Sequence, residues 1–60
     1  MKFTKRESEI IRIAKSGTFL NKEIAHLLNI KEETVREHFR NIYSKIGATN
    51  KVELIFKLFN

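Results

Sequence analysis

Between Lys31 and Gly47 the chain reads KEETVREHFRNIYSKIG, and its apolar residues Val35, Phe39, Ile42 and Ile46 recur at steps of three and four. That spacing returns side chains to one side of an α-helix, so the four form a narrow stripe. Glu33, Arg36, Glu37, Arg40, Asn41 and Ser44 project from the other side. Such a helix has one face to bury and another to present, and the remaining segments are expected to hold it in place.

With 60 residues the chain makes one small domain, 1–60, near the size at which an apolar core alone only just suffices. A large substrate cavity is therefore not expected. There is no cysteine, hence no disulfide and no thiolate metal site, which fits a reducing cytosol. No apolar run approaches the roughly 20 residues needed to cross a bilayer, and the N-terminus lacks the apolar stretch of a secretion signal. A soluble cytoplasmic domain without membrane contact is the expectation. The net charge of +5 biases the chain toward polyanions. Many small soluble domains are equally basic, so charge alone does not decide the partner.

From the start of the chain, Thr4 and Glu7 have the spacing of a capping box, in which the hydroxyl accepts from the third amide onward and the carboxylate reaches back. A first helix from Lys5 to about Ser16 follows. Glu7, Ile10, Ile11 and Ala14 lie on its neighbouring turns, Ile13 broadens the apolar face, and Gly17 supplies the stop. Thr18, Phe19 and Leu20 connect to a second helix, Lys22 to about Leu28, with Asn21 as its expected cap. Ile24, Ala25 and Leu28 face inward, and the small Ala25 lets another helix cross close above it. Asn29 tolerates positive φ, so a tight stop with Ile30 tucked back is expected. Helix, abrupt turn, helix is the organisation of a helix-turn-helix.

The third helix spans about Glu32 to Ile46 and stops at Gly47. Thr49 or Asn50 opens a fourth, where Asn50 and Glu53 repeat the capping spacing. Its apolar residues fall into two groups, Val52, Ile55, Phe56 and Phe59 on one side and Leu54 and Leu58 well around the helix. One group can pack on the domain, which leaves the other as a candidate self-association surface. No strand pattern, repeat or linker competes, and there is no proline. The predicted architecture is all-α, a four-helix bundle-like domain containing a helix-turn-helix.

The ordered fragments Thr4-Lys5-Arg6-Glu7, Ile10 and Ile11, Gly17, Asn21-Lys22-Glu23-Ile24-Ala25, Leu28-Asn29-Ile30, Thr34-Val35-Arg36-Glu37-His38, Asn41 through Gly47 and Asn50 through Leu54 together resemble the LuxR-type DNA-binding domain. This type, also called NarL/FixJ or GerE-like, closes many bacterial response regulators and quorum-sensing regulators. The resemblance runs from Phe3 to about Leu58. It implies that the third helix reads bases in the major groove of double-stranded DNA and that the fourth supplies a homodimer contact. Carried over by position, Arg36, Glu37, Arg40 and Asn41 become the base-reading set. Arginine suits that task because its fork pairs with both acceptors on the major-groove edge of guanine. Asn21 and Lys22 resemble phosphate contacts at a helix start, where free amides attract anions. Lys31, Thr34, His38 and Lys45 complete the backbone set, and Val52, Ile55, Phe56 and Phe59 the dimer face.

The chain departs from the family in three places. Lys31 stands where a serine or threonine usually caps the recognition helix, and an ammonium cannot accept there; Glu32 and Glu33 offset this in part by charge. Glu37 stands where relatives are often neutral, so it is either a specificity determinant or a partner of Arg40, and pairing is the reading favoured here. Leu27 falls at a usually polar position, which implies an exposed apolar spot or an extra packing surface.

Blander readings apply to several of these residues. Arg36, Arg40 and Lys45 by themselves describe a solvated amphipathic face. His38 has no second ligand at metal-binding spacing and His26 lies on another helix, so no metal site is expected. Tyr43 and Phe39 flank the buried stripe and are read as core. No nucleophile and base, phosphate-binding glycine loop or metal set suggests an enzyme, a cofactor or a small-molecule ligand. Two functions stay open. One is sequence-specific DNA binding as the C-terminal effector domain of a response regulator or as a short stand-alone regulator. The other is a module that docks on another protein such as RNA polymerase.

Overall fold

The computed structural model describes residues 2–59 and contains four helices, α1 (Lys5–Lys15), α2 (Asn21–Leu28), α3 (Glu32–Ile46) and α4 (Lys51–Phe59), with no strand among the described residues. Several of their ends have a local cause. At α1 the Thr4 hydroxyl accepts from the Glu7 amide at 3.1 Å, and Glu7 Oε1 accepts from the Thr4 amide at 2.9 Å. The capping box read from the sequence is present. Past Lys15 the Ser16 hydroxyl donates to the Ile13 carbonyl at 2.7 Å, and Gly17 turns the chain at φ 110°.

The start of α2 corrects the expected cap. Leu20, extended at φ −74° and ψ 129°, holds the cap position with no side-chain bond. Its carbonyl accepts from the Glu23 and Ile24 amides, and Asn21 is drawn one place inward to become the first helical residue. Asn29 closes α2 in the left-handed region at φ 56°, and the Ile30 amide returns to the Ala25 carbonyl at 3.0 Å. Gly47 closes α3 in the same way at φ 71°. At α4 the Asn50 side chain accepts from the Glu53 amide at 2.8 Å, while the Glu53 carboxylate takes the Thr49 amide and hydroxyl.

Ile10, Ile11 and Ala14 of α1, Ile24 and Ala25 of α2, Val35, Phe39 and Ile42 of α3, Ala48 of the connection after α3 and Leu54 of α4 form one core. Helix α3 packs most extensively on α2 and also meets α1 and α4. Buried Ala25 permits that close approach. Ile46, the end of the α3 stripe, is only half-buried. On α4 the two apolar groups separate as expected: Leu54 is enclosed and Leu58 packs against the core, while Val52 and Phe56 point to solvent. Ile55 goes with the inward group in part, since it too packs against the core.

Candidate nucleic-acid interface

Helix α3 buries Val35, Phe39 and Ile42 and leaves Arg36, Glu37, Arg40 and Asn41 exposed. One helix therefore gathers the four proposed base readers on its outer face, with the stripe beneath them fixed against α2. Glu37 is not paired. Among the described residues the ion pairs are Arg6 with Glu9 at 3.5 Å and Lys45 with Glu7 at 2.6 Å, so the favoured partnership with Arg40 is not formed. Arg40 instead borders a hollow with Arg36, Asn21, Phe39, Tyr43 and Lys51. Glu37 is left as an unneutralised carboxylate in the middle of the basic face.

The expected backbone contacts divide into two sets. Lys22 and Lys31 are exposed at the starts of α2 and α3, and Asn21 and Thr34 are half-buried beside them. Lys31 has the extended cap backbone but forms no side-chain cap bond, as its chemistry requires. Lys45 and His38 sit at the opposite edge of α3. The Lys45 ammonium is held by the Glu7 carboxylate at 2.6 Å and the Lys2 carbonyl at 3.2 Å, which gives it an intramolecular partner. His38 is half-buried close enough to lower the Glu7 pKa by its charge. Tyr43 packs its ring 5.7 Å from that of Phe39, and burial raises its phenol pKa.

The outward group on α4 forms a second surface. Phe19, Val52, Ile55, Phe56 and Phe59 line a shallow apolar hollow, with Val52 72% and Phe56 64% exposed. Lys15 places its ammonium 4.3 Å from the Phe59 ring centroid. Phe19 was not among the residues read as part of this face, because it lies in the α1 to α2 connection. Lys51 borders the other hollow, beside Arg36 and Arg40, and a lysine after a cap carries no local mark in the sequence of what lies beside it. Leu27 is exposed, as the departure at that position implied. Among the described residues no helix is long and apolar enough to cross a membrane.

Two helices that pack on the core and meet at a tight left-handed turn, the second presenting arginines, define a helix-turn-helix domain. Residues 1–58 match the family described as bacterial regulatory proteins, luxR family, and the chain belongs to it. It is 44% identical over 54 residues to the regulatory protein SdiA of Escherichia coli (strain K12), covering 90% of this chain and 22% of that protein. It is 42% identical over 52 residues to the uncharacterized response regulatory protein YgeK of the same organism, covering 87% of this chain and 35% of that one. With the HTH-type transcriptional regulator MalT of Vibrio cholerae serotype O1 (strain ATCC 39315 / El Tor Inaba N16961) it shares 36% identity over 52 residues, covering 87% of this chain and 6% of that protein. The chain thus corresponds to a small part of these relatives. No solved structure gives a significant match.

Proposed function

We propose that this domain binds double-stranded DNA sequence-specifically as part of a bacterial transcription regulator, with α3 in the major groove and two copies joined through α4. The observation that carries the proposal is the single exposed face on α3 that holds Arg36, Glu37, Arg40 and Asn41 above a stripe locked onto α2. A rigid helix with outward arginines meets the requirement for reading guanine edges. Lys22, Lys31 and Asn21 lie at neighbouring helix starts, and in this reading they hold phosphates and set the register. One recognition helix would then occupy each half-site, with half-sites about one helical turn apart. Occupancy is governed by linkage, since a lone domain makes few contacts and a second tethered copy binds at high effective concentration.

Selection of bound duplexes from a random pool, followed by anisotropy titration, tests this reading. Arg40→Ala is expected to weaken the selected duplex by about 1–3 kcal/mol and random DNA far less, while Lys22→Ala weakens both alike. Equal losses for the two variants would remove the base-reading role of Arg40. Exposed Leu20 at the cap of α2 and exposed Leu27 on that helix favour a second reading, an apolar dock for another protein such as RNA polymerase. Salt separates the two. Neutralising six or more phosphates implies a loss of ~10³-fold in affinity between about 50 and 200 mM salt, and an apolar contact changes little.

A further inference from the structure

Where the start of α2, the middle of α3 and the start of α4 meet, Asn21, Arg36, Phe39, Arg40, Tyr43 and Lys51 line an open hollow of about 240 Å³. Half of its lining residues are cationic and none is acidic. None of these cations forms an ion pair among the described residues, where both ion pairs lie elsewhere. Asn21 and Lys51 are the first residues of α2 and α4, so the positive ends of two helix dipoles border the same space. In the isolated domain these positive charges repel one another. The arrangement becomes favourable once an anion enters.

Two details locate that anion. The Lys51 ammonium stands 4.9 Å from the Phe39 ring centroid, half-buried and without a hydrogen-bond acceptor among the described residues. Burial lowers its pKa. Beside it Asn21 Oδ1 is buried with no hydrogen-bond partner. The nitrogen of the same amide is not enclosed in this way and donates to no acceptor among the described residues, so the side chain offers the hollow a donor.

We infer that this hollow seats one backbone phosphate of bound DNA, with Lys51 as its central cation and the Asn21 amide as a donor. This rests on the DNA-binding reading above and adds to it a residue of α4. Lys51 lies on a helix that does not enter the groove, so it takes the phosphate and leaves the Arg36 and Arg40 forks free for base edges. Because α4 also carries the proposed dimer face, the seat fixes that face relative to the DNA backbone.

The test is anisotropy titration of the wild type, Lys51→Met and Lys51→Arg on the selected duplex and on random DNA, from about 50 to 200 mM salt. Methionine keeps the apolar stem over Phe39 and removes the charge. Lys51→Met is expected to weaken both duplexes alike and to lower the slope of log affinity against log salt by about 0.9. The loss across that range then shrinks by roughly 3-fold, and Lys51→Arg restores it. An unchanged slope in Lys51→Met beside a wild type that binds, or a loss confined to the selected duplex, overturns the seat alone. A wild type with no salt-dependent duplex binding overturns the DNA reading and the seat together. Should Lys51→Met fail to fold, the Lys51 side-chain resonances of the wild type decide: a shift on adding DNA supports the seat, and unmoved resonances overturn it.

Discussion

Glu7 is only 3% exposed, and a carboxylate so enclosed needs compensation close by. Burial pulls its pKa upward, but the Lys45 hydrogen bond, the Thr4 amide and the nearby charges of Lys45 and His38 outweigh that and hold it below the usual carboxylate range. A folded pKa below the unfolded one means that the contribution is fully present above about 4.3 and is lost as pH falls through the folded value. Lys45→Met leaves the carboxylate without its ammonium. We expect a cost of about 2–3 kcal/mol at neutral pH, below the range for a fully buried pair because Lys45 is part-exposed. Glu7→Gln removes the charge together with the need for it and is expected to cost less. Urea unfolding at pH 7 and pH 3 checks this, since protonating Glu7 narrows the gap between Lys45→Met and the wild type. An equal gap at both pH values would exclude the ion pair as the cause.

Helix α3 starts without a side-chain cap, although the Lys31 backbone already has the extended conformation that a cap residue needs, φ −76° and ψ 148°. Lys31→Ser supplies the missing oxygen and is expected to add about 1 kcal/mol of stability. The same change removes a cation from the proposed backbone set. Affinity for selected and random duplexes should therefore fall together while the denaturation midpoint rises, and a stability gain with no loss of affinity would take Lys31 out of the phosphate contacts. Such end effects were legible in the sequence where they depend on neighbours. Thr4 with Glu7, Asn29 and Gly47 act over four residues or fewer and act as read, whereas at α4 Asn50 accepts from the Glu53 amide as expected but the Glu53 carboxylate returns to Thr49 rather than to Asn50. Asn21 was not legible as a first helical residue, because the choice between it and Leu20 depends on how the chain leaving Gly17 settles against α3 and α4. The Glu7 to Lys45 bond spans 38 positions, and the local capping role of Glu7 accounts for its presence without suggesting the second one. The hollow around Lys51 draws on three helices, so no single window of sequence contains it. Pairing of Glu37 with Arg40 was a fair reading of helix spacing, and it fails because Arg40 borders that hollow instead.

The domain as a whole closes its core with Leu54 and spends nothing comparable on the opposite side of α4. Val52, Phe56 and Phe59 lie outward beside Phe19, an apolar surface that a lone domain leaves in water. A second copy related by a two-fold axis would cover it, and the same axis would carry two α3 helices onto a palindromic site. Phe56 is the residue on which to test this, since it is exposed in the single domain, whereas Ile55 also packs inward and would confuse association with folding. Phe56→Glu is expected to change the stability of the single domain by no more than about 0.5 kcal/mol. On a duplex with both half-sites its affinity should drop toward that on one half-site, erasing an avidity gain of the order of 10²-fold. On a single half-site it should bind as the wild type does. Anisotropy on the two duplexes gives the comparison directly. Equal affinity of variant and wild type on the two-half-site duplex would mean that the copies do not meet through this face, and equal losses on both duplexes would place Phe56 in the DNA contact or the fold instead.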